Sequence, residues 1–158
     1  MRPKSIHHFR THQYRVFLAD PYLKLDLKKE VKWHEDHLNK LKLHKKNPEL
    51  FHSERTAHRI DKQRERHFNE HVMDSIPFHQ KILAEHKRRL TTILNIMPEK
   101  TYKKLKNITI KLKTAPDYLV FDKLSKEFFF IIEKPTPEKE KWSKLVQKKK
   151  LCEVLFLE

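Results

Sequence analysis

The chain has 158 residues, 37% of them apolar and 36% charged, with a net charge of +15 when the histidines are neutral. That suits one domain with an appendage, or two small units, and solubility alone would need a net charge of only about 2–8, so the excess points to a polyanionic partner. The absence of glycine excludes the Walker A and dinucleotide loops, the single cysteine excludes an internal disulfide and a thiolate zinc site, and no apolar run approaches the ~18 residues of a membrane span.

The first 19 residues carry Arg2, Lys4, Arg10 and Arg15 and no acid. They read as a basic arm on nucleic acid, or as an organelle transit segment. Leu27, Val31, His34, Leu38 and Leu41 then make one thin apolar stripe, which predicts a helix over about 24–46. Asn47-Pro48 breaks it. Ser53 is placed to cap a second helix reaching about Ser75, with the weaker stripe Ala57, Ile60, Phe68, Val72 and Ile76. Together these form a basic helical hairpin, and residues 1–77 are expected to be a separate helical region holding most of the histidines.

From residue 78 the texture changes. A third helix is expected over 78–94, and Pro98 opens a short helical turn. Asn107 to Lys113 alternates apolar and polar residues, the period of a half-buried strand. Tyr118–Phe121 reads as a second strand and Glu127–Glu133 as a third, apolar on both faces and therefore central. Pro135 and Pro137 end that strand and open a helix over 138–150, and Cys152–Glu158 reads as the last strand. The expectation is an α+β protein: a helical hairpin, then an αβββαβ core over 78–158 with a four-stranded mixed sheet. The hairpin over 118–133 is antiparallel, and the following helix is the crossover that parallel pairing needs.

The segment from Pro116-Asp117 through the aromatic strand to Glu133-Lys134, followed by Pro137-Glu-Lys-Glu-Lys-Trp142, resembles the PD…ExK hairpin and lysine-rich helix of the PD-(D/E)xK nucleases, in their virus-type replication-repair (VRR-NUC) branch. The resemblance covers about residues 79–158. It implies a restriction-endonuclease-like fold and a metal-dependent nuclease, a hydrolase of phosphodiester bonds in DNA. It also implies a magnesium or manganese ion on Asp117 and Glu133, with Lys134 assisting the water and Glu85 as an extra acid on the preceding helix. Lys144 or Gln147 on the crossover helix is a further contributor. The residue types suit that chemistry independently, since magnesium prefers hard oxygen ligands from one or two carboxylates and a neighbouring lysine neutralises developing charge. This chain departs from the family in one respect: the family's acid and lysine are separated by one residue, whereas Glu133 and Lys134 are adjacent. Aligned on the lysine, the acid position is Ile132; aligned on the acid, the lysine position is Pro135. A working site therefore requires the strand to break regular alternation there, by a bulge for example.

Lys103, Lys104, Lys144, Lys148, Lys149 and Lys150 are the expected phosphate-tracking residues, with DNA ahead of RNA as the partner and no membrane. Location is expected to be intracellular, in the cytoplasm or nucleoid, with a homodimer or larger nucleoprotein assembly compatible. Two rival readings stay open: the same fold without catalysis, acting as a DNA or RNA clamp, and a basic interaction protein in a larger assembly. His67-Phe-Asn-Glu70-His71 spells a zinc-protease motif. In so histidine-rich a region it reads as a polar helix face, as does His34-Glu-Asp-His37, and zinc is not expected to be needed.

Overall fold

The structure, a computed structural model, describes residues 5–55 and 61–157, with the side chains of 52–55 and 61 left aside. The expectations placed on Arg2, Lys4, Ala57, Ile60 and the Ser53 side chain lie outside the described residues. Two compact units emerge: Met1–Asp26 with Arg89–Glu158, and Leu27–Arg88. They do not follow a division after residue 77, because the first segment of the chain joins the sheet. Among the described residues no helix is long and apolar enough to cross a membrane.

The first unit is the α+β part. A 3-10 turn (Ile6–Phe9) precedes β1 (Tyr14–Leu18) and the short α1 (Asp20–Leu23). After the second unit come α6 (Glu99–Leu112), β2 (Tyr118–Asp122), β3 (Phe128–Ile132), α7 (Pro137–Lys148) and β4 (Glu153–Phe156). The sheet order is β1-β2-β3-β4. β1 and β3 both run antiparallel to β2, and β4 is parallel to β3 across the α7 crossover. The hairpin, the central apolar strand, the crossover and the closing strand thus match expectation.

The remaining strand does not. Asn107–Lys113 is the end of α6, not a strand, and the fourth strand is Tyr14–Leu18. Ile108 and Ile110 imitate strand alternation, but Ile110 is 47% exposed. The residues that bury are Tyr102, Leu105, Ile108 and Thr109, a helical repeat. That repeat seats α6 against α7, whose Trp142 bonds Thr109, and against α1, where the Tyr102 hydroxyl donates to the Tyr22 carbonyl at 2.8 Å. The Tyr14–Leu18 signal, Tyr-Arg-Val-Phe-Leu, was a strand signal masked by the basic arm around it.

Strand alternation splits the sheet into two apolar faces. On one, Ile6 and Phe9 of the 3-10 turn cover Val120 and Ile131, with Tyr14, Val16 and Phe129 packed alongside. On the other, Trp142 of α7 lies edge-on to Phe130, ring centroids 5.2 Å apart. The Trp142 indole donates to Thr109 Oγ1 at 2.9 Å, which resolves the polar atom of a fully buried ring. α7 forms where the sequence predicts it: Thr136 accepts the Lys139 N–H at 3.2 Å, Pro137 occupies the first turn, Glu138 and Glu140 sit at the positive helix end and Lys148 at the negative one. Without glycine, the left-handed backbone positions among the described residues fall on Lys113, Lys126 and Lys150.

The second unit is helical: α2 (Leu27–Lys46), α3 (Pro48–Arg55), α4 (Asp61–Phe68), a π-helical turn (Asn69–Met73) and the first part of α5 (Ser75–Ile96). α2 and α5 match the predicted helices within a few residues. Of the helix expected from Ser53 to Ser75, the described residues are helical on both sides, in α3 and in α4 with the π turn that follows it, and Pro77 lies in the first turn of α5 rather than ending a helix. A helix tolerates proline there because its missing N–H would have no intrahelical partner. Among the described residues, a buried apolar cluster of this unit is formed by Leu38, Leu41, Phe51, Val72 and Ile76, with Phe68 and Leu83 against it.

Candidate functional site

The C-terminal end of β3 and the residues just before β2 open into a cavity of about 300 Å³. Asp117 is its best-anchored polar residue. Its backbone N–H donates to the Ile131 carbonyl at 3.0 Å, and its carbonyl accepts the Ala19 N–H at 3.2 Å. The side chain is therefore presented from a fixed point on the sheet. Oδ2 accepts the N–H groups of Glu133 at 2.8 Å and Lys134 at 3.1 Å, and Oδ1 accepts Lys139 Nζ at 2.6 Å. Burial raises the carboxyl pKa, but the Lys139 ammonium and the two amides outweigh it and hold Asp117 below its ordinary value.

This clamp explains the chain path after β3. No bulge is needed to re-aim Glu133 and Lys134. The strand ends at Ile132 and the chain bends, both amides turning onto one carboxylate. Glu133 and Lys134 line the same cavity as Asp117, so the adjacency that looked incompatible with a shared site is absorbed by the bend. Ile132, where the family-like alignment would place the acid, is fully buried. The neighbouring Glu133 carboxylate and partial burial raise the Tyr118 pKa.

Three further lining residues escaped the sequence reading. Lys139, on the first turn of α7, binds Asp117 and also donates to the Lys134 carbonyl at 3.2 Å. Its signal was its position inside the lysine-rich helix, one turn beyond the Thr136 cap. Asp20 and Lys24 of α1, paired at 3.3 Å, line the cavity because β1 belongs to the sheet. Nothing in the sequence placed them there.

The other expected residues lie elsewhere. Glu85 belongs to the helical unit. Gln147 stitches α7 to β4 by donating to the Val154 carbonyl at 3.4 Å. Lys144 lines a separate hollow with Gln147 and Phe156. Lys103, Lys104, Lys144, Lys148, Lys149 and Lys150 are all solvent-exposed, on or just after α6 and α7. In the His67-x-x-Glu70-His71 stretch, Glu70 pairs with Arg66 at 2.9 Å on an exposed surface. The half-buried Cys152 thiol is pushed up to about 12 by burial and by Glu153, which leaves it a poor nucleophile.

As a donor set, Asp117, Glu133 and Asp20 are hard oxygens of the kind magnesium and manganese take. Asp117 Oδ1 accepts one hydrogen bond and keeps a lone pair. No family model matches this chain, and no curated protein or solved structure matches it.

Proposed function

We propose that the sheet-containing unit is a metal-dependent nuclease that hydrolyses phosphodiester bonds, with DNA ahead of RNA as substrate. The carrying observation is the convergence of Asp117, Glu133, Lys134 and Lys139 on one cavity at the strand ends. The carboxylates of Asp117 and Glu133 would hold a magnesium or manganese ion, whose chemistry when bound is to polarise a phosphate and lower the pKa of a water. Lys139 keeps Asp117 ionised and oriented, and Tyr118 lines the cavity beside Glu133. Lys134 neutralises charge that builds on the phosphate. The exposed lysines of α6 and α7 track the backbone, which suits a net charge of +15. The reading fits an intracellular location and assembly with nucleic acid.

A second reading is favoured by the crowding of Asp117: its carboxylate already accepts three hydrogen bonds. Under that reading the clamp only shapes the end of the sheet, and the unit binds nucleic acid without cutting it. Incubation with labelled single-stranded, duplex and branched DNA, and with RNA, separates the two. The nuclease reading expects cleavage with magnesium or manganese that Asp117→Asn and Glu133→Gln abolish while binding persists, and that Lys134→Ala slows by about 10²-fold. Binding without cleavage in either metal leaves the second reading. Absence of binding to any of these at about 50 mM salt sinks both.

A further inference from the structure

The helical unit buries histidines where a small domain would ordinarily bury aliphatic side chains. His34 of α2 and His86 of α5 are each 7% exposed. Glu30 lies one turn before His34 on α2, so both project from one helix face. One ligand atom from each of Glu30, His34 and His86 can be chosen so that all lie within 4.8 Å of one another. The His34 and His86 rings are 5.5 Å apart between centroids. His34 Nε2 is 3.7 Å from Glu30 Oε2, while its other nitrogen, Nδ1, is 3.0 Å from His79 Nδ1.

A ring-nitrogen pair at that separation shares one proton, so at least one of the two nitrogens presents a lone pair. With His34 Nδ1 as the donor, His34 Nε2 is the bare nitrogen, on the side facing Glu30. Metal-bound imidazoles carry the same arrangement, in which the distal N–H is held by an outer partner that sets the tautomer.

We propose that Glu30, His34 and His86 bind one divalent transition-metal ion, with zinc as the expected occupant, and that His79 is the outer partner orienting His34. Two imidazoles and one carboxylate form a three-ligand zinc set that leaves a fourth position for water. Magnesium and calcium are disfavoured by the nitrogen donors. At zinc–ligand bonds of about 2.0–2.2 Å the donors lie roughly 3.3 Å apart, so closure on the ion requires only small rotamer shifts from the present arrangement. The ion would tie α2 to α5, so that metal binding adds directly to the folding stability of the unit. The proposal departs from the sequence expectation that zinc is not needed. The donors come from two helices far apart in the chain, which no local motif reveals.

The test is zinc titration of the full chain after chelation and dialysis, read by competition with a chromophoric chelator and by thermal unfolding. Cobalt serves as the spectroscopic probe. The expected result is one zinc per chain with a Kd tighter than about 10 µM, a rise in Tm on zinc addition, and visible absorption from cobalt in a low-coordinate site. Glu30→Gln and His86→Gln should each weaken zinc at least tenfold, and His79→Ala by about 10–100-fold. His67→Gln and His71→Gln should leave it unchanged. Glu30→Gln replaces a partly exposed carboxylate by its isostere, so a loss there cannot be charged to misfolding. Absence of stoichiometric zinc overturns the proposal. So does zinc retained at full affinity in both Glu30→Gln and His86→Gln, or zinc lost in His67→Gln or His71→Gln.

Discussion

The two units solve the problem of burial in opposite ways. The sheet unit encloses Trp142, Phe130, Leu105, Leu119, Ile131 and Ile132 completely, and its buried polar atoms are matched in pairs, as Trp142 is with Thr109 and Lys106 with Asp26 at 2.8 Å. Among its described residues the helical unit buries the cluster of Leu38, Leu41, Phe51, Val72 and Ile76 and also places His34, His44 and His86 in its interior. The first kind of interior is held by area removed from water, at roughly 25 cal/mol per Å². The second depends more on what its polar groups hold. The difference teaches where each unit is vulnerable: the sheet unit to cavities and to loss of its strand-end clamp, the helical unit to loss of the contacts its imidazoles make, such as His34 with His79 and Glu30.

The largest expected effect is that of Trp142→Ala. It opens a large cavity between α7 and β3 and removes the donor to Thr109 Oγ1, whose own hydroxyl still bonds the Leu105 carbonyl, and should cost about 3–5 kcal/mol in urea unfolding. Leu38→Ala in the helical unit should cost nearer the low end of the range for such changes, about 2 kcal/mol, because a thin stripe has room to collapse. Equal losses for the two variants would break the comparison.

Next comes Asp117→Asn, expected to cost about 1–3 kcal/mol at neutral pH through the weakened clamp. Its pH signature sharpens the assignment. The Asp117 pKa is lowered in the folded protein, so its contribution is fully present above the unfolded value of about 3.9. It is lost as pH falls through the lower folded value. The Tm gap between wild type and Asp117→Asn should therefore be constant from pH 7 to about 5 and close on further acidification. A gap that widens in acid would contradict the clamp.

The smallest effect is a gain. Lys126 sits at φ 63° in the β2–β3 turn, a conformation that costs a side-chain-bearing residue about 1–2 kcal/mol. Lys126→Gly should recover up to about 1 kcal/mol after the extra entropy of an unfolded glycine is subtracted. No comparable backbone relief is available among the described residues of the helical unit, where no left-handed residue occurs.

What the sequence by itself determined are the elements whose signals are local. α7 announces itself by Thr136, Pro137 and its acidic first turn, β3 by an uninterrupted apolar run, and the hairpin by the polar turn between two such runs. Asp117, Glu133 and Lys134 were legible as a candidate site for the same reason, since they flank that hairpin. Tertiary structure alone decided the rest. Asn107–Lys113 carries both an alternating and a helical pattern, and only packing against α7 and α1 selects the helix, burying Ile108 and Thr109 and exposing Ile110. Tyr14–Leu18 becomes a strand because β2 offers it an unpaired edge, and with it come Asp20 and Lys24 to the cavity. Lys139 reaches Asp117, and His86 joins His34 and Glu30, by the same rule. A side chain's partners across a fold depend on where whole elements dock, and docking is set by the summed burial of many residues rather than by any spacing along the chain.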